Sequence, residues 1–167
     1  MPLLILNKNL IEPSSYLERK TVKAVIINDY GNTLHLSSNL IGGGVEEGEN
    51  YEVALHREAL EEAGIKIEII KLLGEVIQYR DVLKKKYIVY GYLCKFINAS
   101  NQPDSIDKIA LNSKIIWEKP QEAINRFQSE INILKNTDPN KFEGDMFQSK
   151  LYNRQMALAF LEEAFNN

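Results

Sequence analysis

GGGVEEGENYEVALHREALEEAGI, residues 42–65, sets seven glutamates between a run of three glycines and a lone glycine. The stretch reads as a loop followed by a helix. Asn50 is a strong N-cap, Glu52 sits in the first turn, where the helix dipole favours a carboxylate, and Gly64 stands where a helix ends. At ~100° per residue, Glu58, Glu61 and Glu62 share one side of the second half of this helix. Val53, His56, Leu60 and Ala63 occupy the opposite side and are expected to face a core. Carboxylates at this spacing repel by roughly 0.2–0.5 kcal/mol per pair, and here they approach the negative end of the helix dipole. A local rule broken without local compensation marks a place where function has set the sequence.

A hard divalent cation would supply that compensation. Mg²⁺ takes oxygen ligands and is usually held by one or two carboxylates together with waters and substrate phosphates. The spacing of Glu58, Glu61 and Glu62 brings their oxygens within reach of one or two such ions. Arg57 points off the acidic arc and can grip Glu49 or another carboxylate through a bidentate fork. The glycine loop offers backbone amides and carbonyls where side chains would block a bulky anion.

Outward from this stretch the chain alternates strand-like and helix-like segments. TVKAVIIN (21–28) and LHLSS (34–38) read as a hairpin about the turn DYGN (29–32). IKIEIIKLLGEVIQY (65–79) and KYIVYGYLCKF (86–96) form a second hairpin about RDVLKK. An irregular segment, 98–112, leads into SKIIW (113–117), and KPQEAINRF (119–127) begins as a helix with Pro120 in its first turn. Residues 136–146 read as loop. The segment 148–165 is a helix whose apolar face holds Leu151, Met156, Leu158, Phe160, Leu161 and Phe165. That face packs on the body of the domain, with a homodimer seam as the alternative. The order fits α/β or α+β layering with a mixed sheet. The domain reading is an N-terminal lead-in, residues 1–20, and a single domain, 21–167, that includes the C-terminal helix.

The 167 residues suffice for one domain with a real core. A net charge of −3 carries no footprint for a DNA or RNA duplex. No run reaches the ~18–20 apolar residues of a transmembrane helix, and the N-terminus lacks the basic region and small-residue cleavage site of a secretory signal. The chain is expected to be cytoplasmic and not to engage a membrane. The lone Cys94 reads as apolar filler. His35 and His56 lack a second ligand at transition-metal spacing. Lys84, Lys85 and Lys86 read as a solvated hairpin tip, and Tyr79, Tyr87, Tyr90 and Tyr92 as core or sheet-face residues.

The opening stretch resembles the Nudix hydrolase (MutT-like) signature: Gly43, five residues, Glu49, seven residues, Arg57-Glu58, Ala59, one residue, Glu61-Glu62, one residue, Gly64, Ile65. Seven fixed matches at correct spacing arise by chance on the order of once in a million such chains, given residue types at several per cent each. The resemblance implies an α/β/α sandwich with a mixed central sheet. It also implies hydrolysis of a diphosphate bond in a nucleoside diphosphate linked to another moiety, with Mg²⁺ or Mn²⁺ as cofactor and more than one ion when substrate is bound. Glu58 and Glu62 resemble the core metal ligands, Glu61 a ligand or general base, the Gly42 carbonyl the main-chain ligand, and Glu49 and Arg57 the pair that orients loop and helix. Glu46, Glu47 and Glu52 fall outside the fixed positions and read as solvated charge. Where the family often has proline before the glycines, this chain has Ile41. A further acidic ligand from outside the signature is expected, with Asp104, Asp107, Glu118 and Glu143 as candidates. The alternative function is a non-catalytic nucleotide or metabolite sensor. Such domains commonly lose signature carboxylates, and this chain keeps all of them. The substrate is expected to be a small nucleotide-type diphosphate, and no residue is assigned to its recognition.

Overall fold

The buried apolar residues divide into two groups, one on each face of a single sheet. The computed structural model describes residues 1–7, 16–99 and 115–166. In chain order these form β1 (Leu4–Leu6), β2 (Leu17–Ile27), β3 (Thr33–Leu36), α1 (Tyr51–Ala63), β4 (Ile65–Arg80) and β5 (Lys85–Ala99). Then come β6 (Ile115–Glu118), α2 (Pro120–Lys135), a 3₁₀ turn (Pro139–Lys141) and α3 (Met146–Phe165). The six strands lie in the order β1-β4-β5-β2-β3-β6. The pairs β1–β4 and β2–β5 are parallel and the others antiparallel, so the sheet is mixed.

Side-chain alternation along β2 decides which helix covers which face. Val22, Ala24 and Ile26 point to one side, where they meet Ala54, Leu55 and Ala59 of α1 together with Ile67 and Cys94. Val25 points to the other, with Leu6, Val76 and Val89, under Ala123 and Phe127 of α2 and Met156, Phe160 and Leu161 of α3. A strand covered on both faces carries apolar residues at consecutive positions, which is why VKAVII reads as a nearly unbroken run. The result is an α+β sandwich of three layers with the expected mixed sheet at its centre. Cys94 is buried, and burial pushes its thiol up to about 12, so it fills space and stays unreactive.

Several elements differ in extent from the sequence reading. Within the expected lead-in, Leu4–Leu6 adds an edge strand parallel to Val76–Gln78, and β2 begins at Leu17, its polar residues pairing with the Lys85–Ile88 end of β5. The helix beginning at Pro120 runs on to Lys135, because Ile131 and Leu134 continue the buried stripe of Ala123, Ile124 and Phe127. The loop expected at 136–146 contains the 3₁₀ turn, and α3 starts at Met146. The expected irregular segment 98–112 begins with Asn98 and Ala99 inside β5, and its remainder lies outside the described residues.

At the centre of the α3 layer, Phe160 is fully buried and its ring lies over Gly91, where any Cβ would collide with it. Phe160→Ala is expected to lower unfolding free energy by roughly 3–5 kcal/mol, as a shift of the urea midpoint.

Candidate functional site

The acidic helix has the ends expected of it. The Asn50 side chain accepts the Val53 N–H at 2.8 Å. Gly64 takes the left-handed conformation at φ 62° and donates its N–H to the Leu60 carbonyl at 2.9 Å. The helix faces differ from the sequence reading. Val53 and His56 are exposed and Leu60 and Ala63 half-buried, whereas Ala54, Leu55 and Ala59 are buried. The physical reason is the placement of the carboxylates. Residues 51, 54, 55, 58, 59 and 62 form one stripe at helical spacing, so turning Glu58 and Glu62 onto the glycine loop buries Ala54, Leu55 and Ala59 of the same stripe and sends Val53 outward.

Arg57 binds helix and loop together. Its Nε and Nη2 grip Glu49 as a fork, at 2.8 and 3.1 Å. Nη2 also donates to the Gly44 carbonyl at 2.9 Å, and Nη1 to Glu58 at 2.9 Å and Glu61 at 3.0 Å. A guanidinium has five N–H donors, and each here has an acceptor. The Arg57 fork and the Glu46 N–H hold the Glu49 carboxyl at about 2. The Glu49 bond in turn raises Arg57 above its usual range. The side chain of Glu58 is 13% exposed and that of Glu61 41%, so water reaches Glu61 more readily than Glu58.

The glycine loop is sandwiched between these carboxylates and a cleft. Gly42 adopts φ 127°, where a Cβ would strike the Val22 carbonyl. Its N–H donates to Glu62 at 2.7 Å. A Cβ on Gly43 would collide with the Glu58 carboxylate, so only glycine allows this approach. On the other side lies a cleft of about 410 Å³, lined by Gly42–Gly44, Arg19, Lys23, Arg80, Tyr87 and Asp145 among others. Lys23 is buried and bonds its ammonium to the carbonyls of Gly42 and Leu40, the latter at 2.9 Å. Burial lowers its pKa, while Glu62 and Glu58 pull it back up. A larger groove of about 790 Å³ beside Glu49 and Tyr51 is lined by residues of the signature loop and by Leu17–Lys20.

The structure therefore brings together Glu49, Arg57, Glu58 and Glu61, and sets Glu62 against Gly42. Of the other acidic candidates, the two among the described residues lie elsewhere. Glu118 sits on edge strand β6 and is engaged by His35 at 2.5 Å and Arg126 at 3.0 Å. Glu143 is exposed in the turn before α3. Asp104 and Asp107 lie outside the described residues. Sequence reasoning missed Asp145, which lines the cleft and pairs with buried Arg80 at 2.6 Å. It also missed Lys23, whose signal was a lone charge inside the apolar run VKAVII.

Among the described residues no three acidic, histidine or cysteine side chains form a ready-made metal cage. A Mg²⁺ ion does not require one. The donor set fits such an ion: Glu62 accepts the Gly42 N–H, Glu58 lies against Gly43, and the Gly42 carbonyl already attracts a cation, the Lys23 ammonium. No described helix is long and apolar enough to cross a membrane.

Comparison with known proteins gives a consistent result. The family model described as NUDIX domain matches residues 17–136. A NUDIX hydrolase from Nitrosomonas europaea shares 19% identity and a TM-score of 0.56, covering 84% of this chain and 90% of its own. The solution structure of the E. coli ORF135 protein shares 21% identity and a TM-score of 0.52, over 68% of this chain and 82% of that one. The MutT protein from Methanosarcina mazei Go1 shares 20% identity and a TM-score of 0.50, over 66% and 83%. Among curated proteins no sequence match is found.

The fork on Glu49 has a measurable signature. Its carboxyl is expected to titrate near pH 2 by ¹³C NMR, well below its ordinary 4.5. Because the folded pKa is depressed, its contribution to stability is fully present above about 4.5 and is lost as pH falls through about 2. Arg57→Lys keeps the charge and loses the fork, and is expected to return the Glu49 titration toward 4.5.

Proposed function

The chain belongs to the Nudix hydrolase family, and on that premise we propose that it hydrolyses a diphosphate bond in a small nucleotide, a nucleoside diphosphate linked to another moiety, with Mg²⁺ or Mn²⁺ as cofactor. The observation that carries this reading is the turning of Glu58 and Glu62 onto a glycine loop whose far side opens on a cationic cleft. Glu58, Glu62 and the Gly42 carbonyl would hold the metal, with Glu61 beside them. When bound, the metal neutralises phosphate oxygens and lowers the pKa of a coordinated water.

The remaining work falls to this chain's own groups. Arg57 fixes the rotamers of Glu58 and Glu61 and the position of the loop, so the carboxylates are in place before substrate arrives. The bare backbone of Gly42–Gly44 lets a diphosphate approach closely, and Arg19 and Lys23 complement its charge. Glu61, the most exposed of the acidic groups held by Arg57, takes the proton of the attacking water. The water oxygen bonds to phosphorus as the bond from phosphorus to the bridging oxygen breaks, and the leaving phosphate departs with that oxygen's electron pair. Arg80, Asp145 and Tyr87 line the part of the cleft available to the rest of the substrate.

The test is release of phosphate or pyrophosphate from a panel of nucleoside triphosphates, nucleotide sugars and dinucleoside polyphosphates, with Mg²⁺ and with EDTA. Turnover of one class is expected with the metal and not with the chelator. Glu61→Gln is expected to lower kcat on that substrate by on the order of 10²–10⁴-fold, the usual contribution of a positioned base. Glu62→Gln is expected to weaken metal binding as well as turnover, with circular dichroism unchanged in both. Wild-type rates in both variants would reject the assignment.

A further inference from the structure

The Lys23 ammonium is a buried cation placed on the carbonyl that the hydrolase reading gives to the metal. Lys23 lies on β2 between Val22, whose N–H donates to the Gly43 carbonyl at 2.9 Å, and Ala24, whose N–H donates to the Ile41 carbonyl at 2.9 Å. These bonds lock the glycine loop alongside β2 and leave Lys23 opposite Gly42. Strand alternation turns the side chain away from α1 and into the cleft it lines with Gly42–Gly44, Arg19, Thr21 and Asn39. Two of its three N–H donors have backbone acceptors, on Gly42 and Leu40. Glu62 and Glu58 supply the compensating negative charge.

A divalent ion and an ammonium repel strongly in a site with little water, so they do not share the Gly42 carbonyl. Lys23 has a flexible four-carbon stem, and the cleft beside it is where a diphosphate would enter. We propose that Lys23 is a substrate-phosphate ligand held in reserve: its ammonium caps the Gly42 carbonyl in the metal-free protein, yields that oxygen to the arriving cation, and turns to a diphosphate oxygen. This rests on the hydrolase reading of the site and adds to it a coupling. Metal alone binds weakly because it must displace Lys23. Metal and diphosphate bind together because the displaced ammonium gains a phosphate partner, and each therefore raises the affinity for the other by the same factor.

The experiment measures Mn²⁺ binding by electron paramagnetic resonance, with and without imidodiphosphate as a non-hydrolysable probe, in the wild type and in Lys23→Met. The wild type is expected to bind Mn²⁺ about tenfold more tightly when imidodiphosphate is present. Lys23→Met is expected to bind Mn²⁺ alone about tenfold more tightly than the wild type and to lose most of the enhancement by the probe. Wild-type values for both quantities in a folded Lys23→Met protein would overturn the role of Lys23 and leave the hydrolase intact. Absence of Mn²⁺ binding to the wild type, with or without the probe, would overturn the hydrolase reading and this inference with it. Should Lys23→Met fail to fold, the Lys23 side-chain resonances of ¹³C,¹⁵N-lysine-labelled wild-type protein decide the matter. They are expected to shift on addition of Mg²⁺ and again with imidodiphosphate, and resonances that stay in place would overturn the proposal.

Discussion

Five N–H donors of Arg57 meeting acceptors on Glu49, Gly44, Glu58 and Glu61 are the constraint on which the rest of the site depends. A guanidinium is planar and always charged, and its donors are arranged in a rigid fork. Once Glu49 is gripped from one edge, the remaining donors have fixed directions. The carbonyl and carboxylates they reach belong to two different pieces of chain. Glu49 and Gly44 are on the loop, and Glu58 and Glu61 are on α1, so a single side chain sets the loop against the helix. The same cation answers the puzzle of the acidic helix in part. Glu58 and Glu61 are less costly than their spacing implies, because they share one positive neighbour. Glu62 has a different arrangement and takes the Gly42 N–H.

The sheet makes this possible from a distance. Parallel pairing with β5 runs the length of β2, Leu17–Ile27, and its Thr21–Ile26 part is buried. Alternation then fixes everything that touches it. The even positions Val22, Ala24 and Ile26 form the surface on which Ala54, Leu55 and Ala59 of α1 rest. Position 23 must point the other way, toward the cleft. A one-residue slip of β2 would exchange these faces, placing an ammonium in the α1 core and removing it from the glycine loop. The geometry around the glycine loop is thus a consequence of strand register as much as of the signature.

The sequence disclosed the parts governed by local rules. Asn50 and Gly64 bound α1 because capping chemistry is local. The β4–β5 hairpin could be read from two long β-branched and aromatic runs about a polar turn. The signature carried the acidic cluster because its spacing is fixed by one helix. What escaped was set by tertiary contacts. The inward face of α1 was misassigned because hydrophobicity pointed to Val53 and Leu60, whereas the turning of Glu58 and Glu62 to the loop overrode it. The short strand Leu4–Leu6 depends on a partner some seventy residues away, Val76–Gln78, and three residues carry too little pattern to announce it. Asp145 was invisible as a cleft residue because only the packing of α3 brings it beside Arg80.

Buried charge alone would not have located the site. His35 is fully buried, with one ring nitrogen 2.8 Å from the Leu36 carbonyl and the other 2.5 Å from Glu118. Arg126 joins Glu118 to Glu130, and Arg154 joins Glu130 to α3. Burial lowers the His35 pKa, a perturbation of the kind that marks active sites elsewhere. Yet these residues tie β3, β6, α2 and α3 to one another and none of them lines the cleft beside the glycine loop. Their partners are other elements of the fold, and their work ends there. The charges around Gly42 differ in where they lead. Lys23, Glu58 and Glu62 surround a backbone segment kept bare of side chains, and that segment opens on a cleft. Position relative to an accessible, sterically cleared backbone, more than the size of any pKa perturbation, separates the ionic network that ties elements of the fold together from the one that borders the cleft.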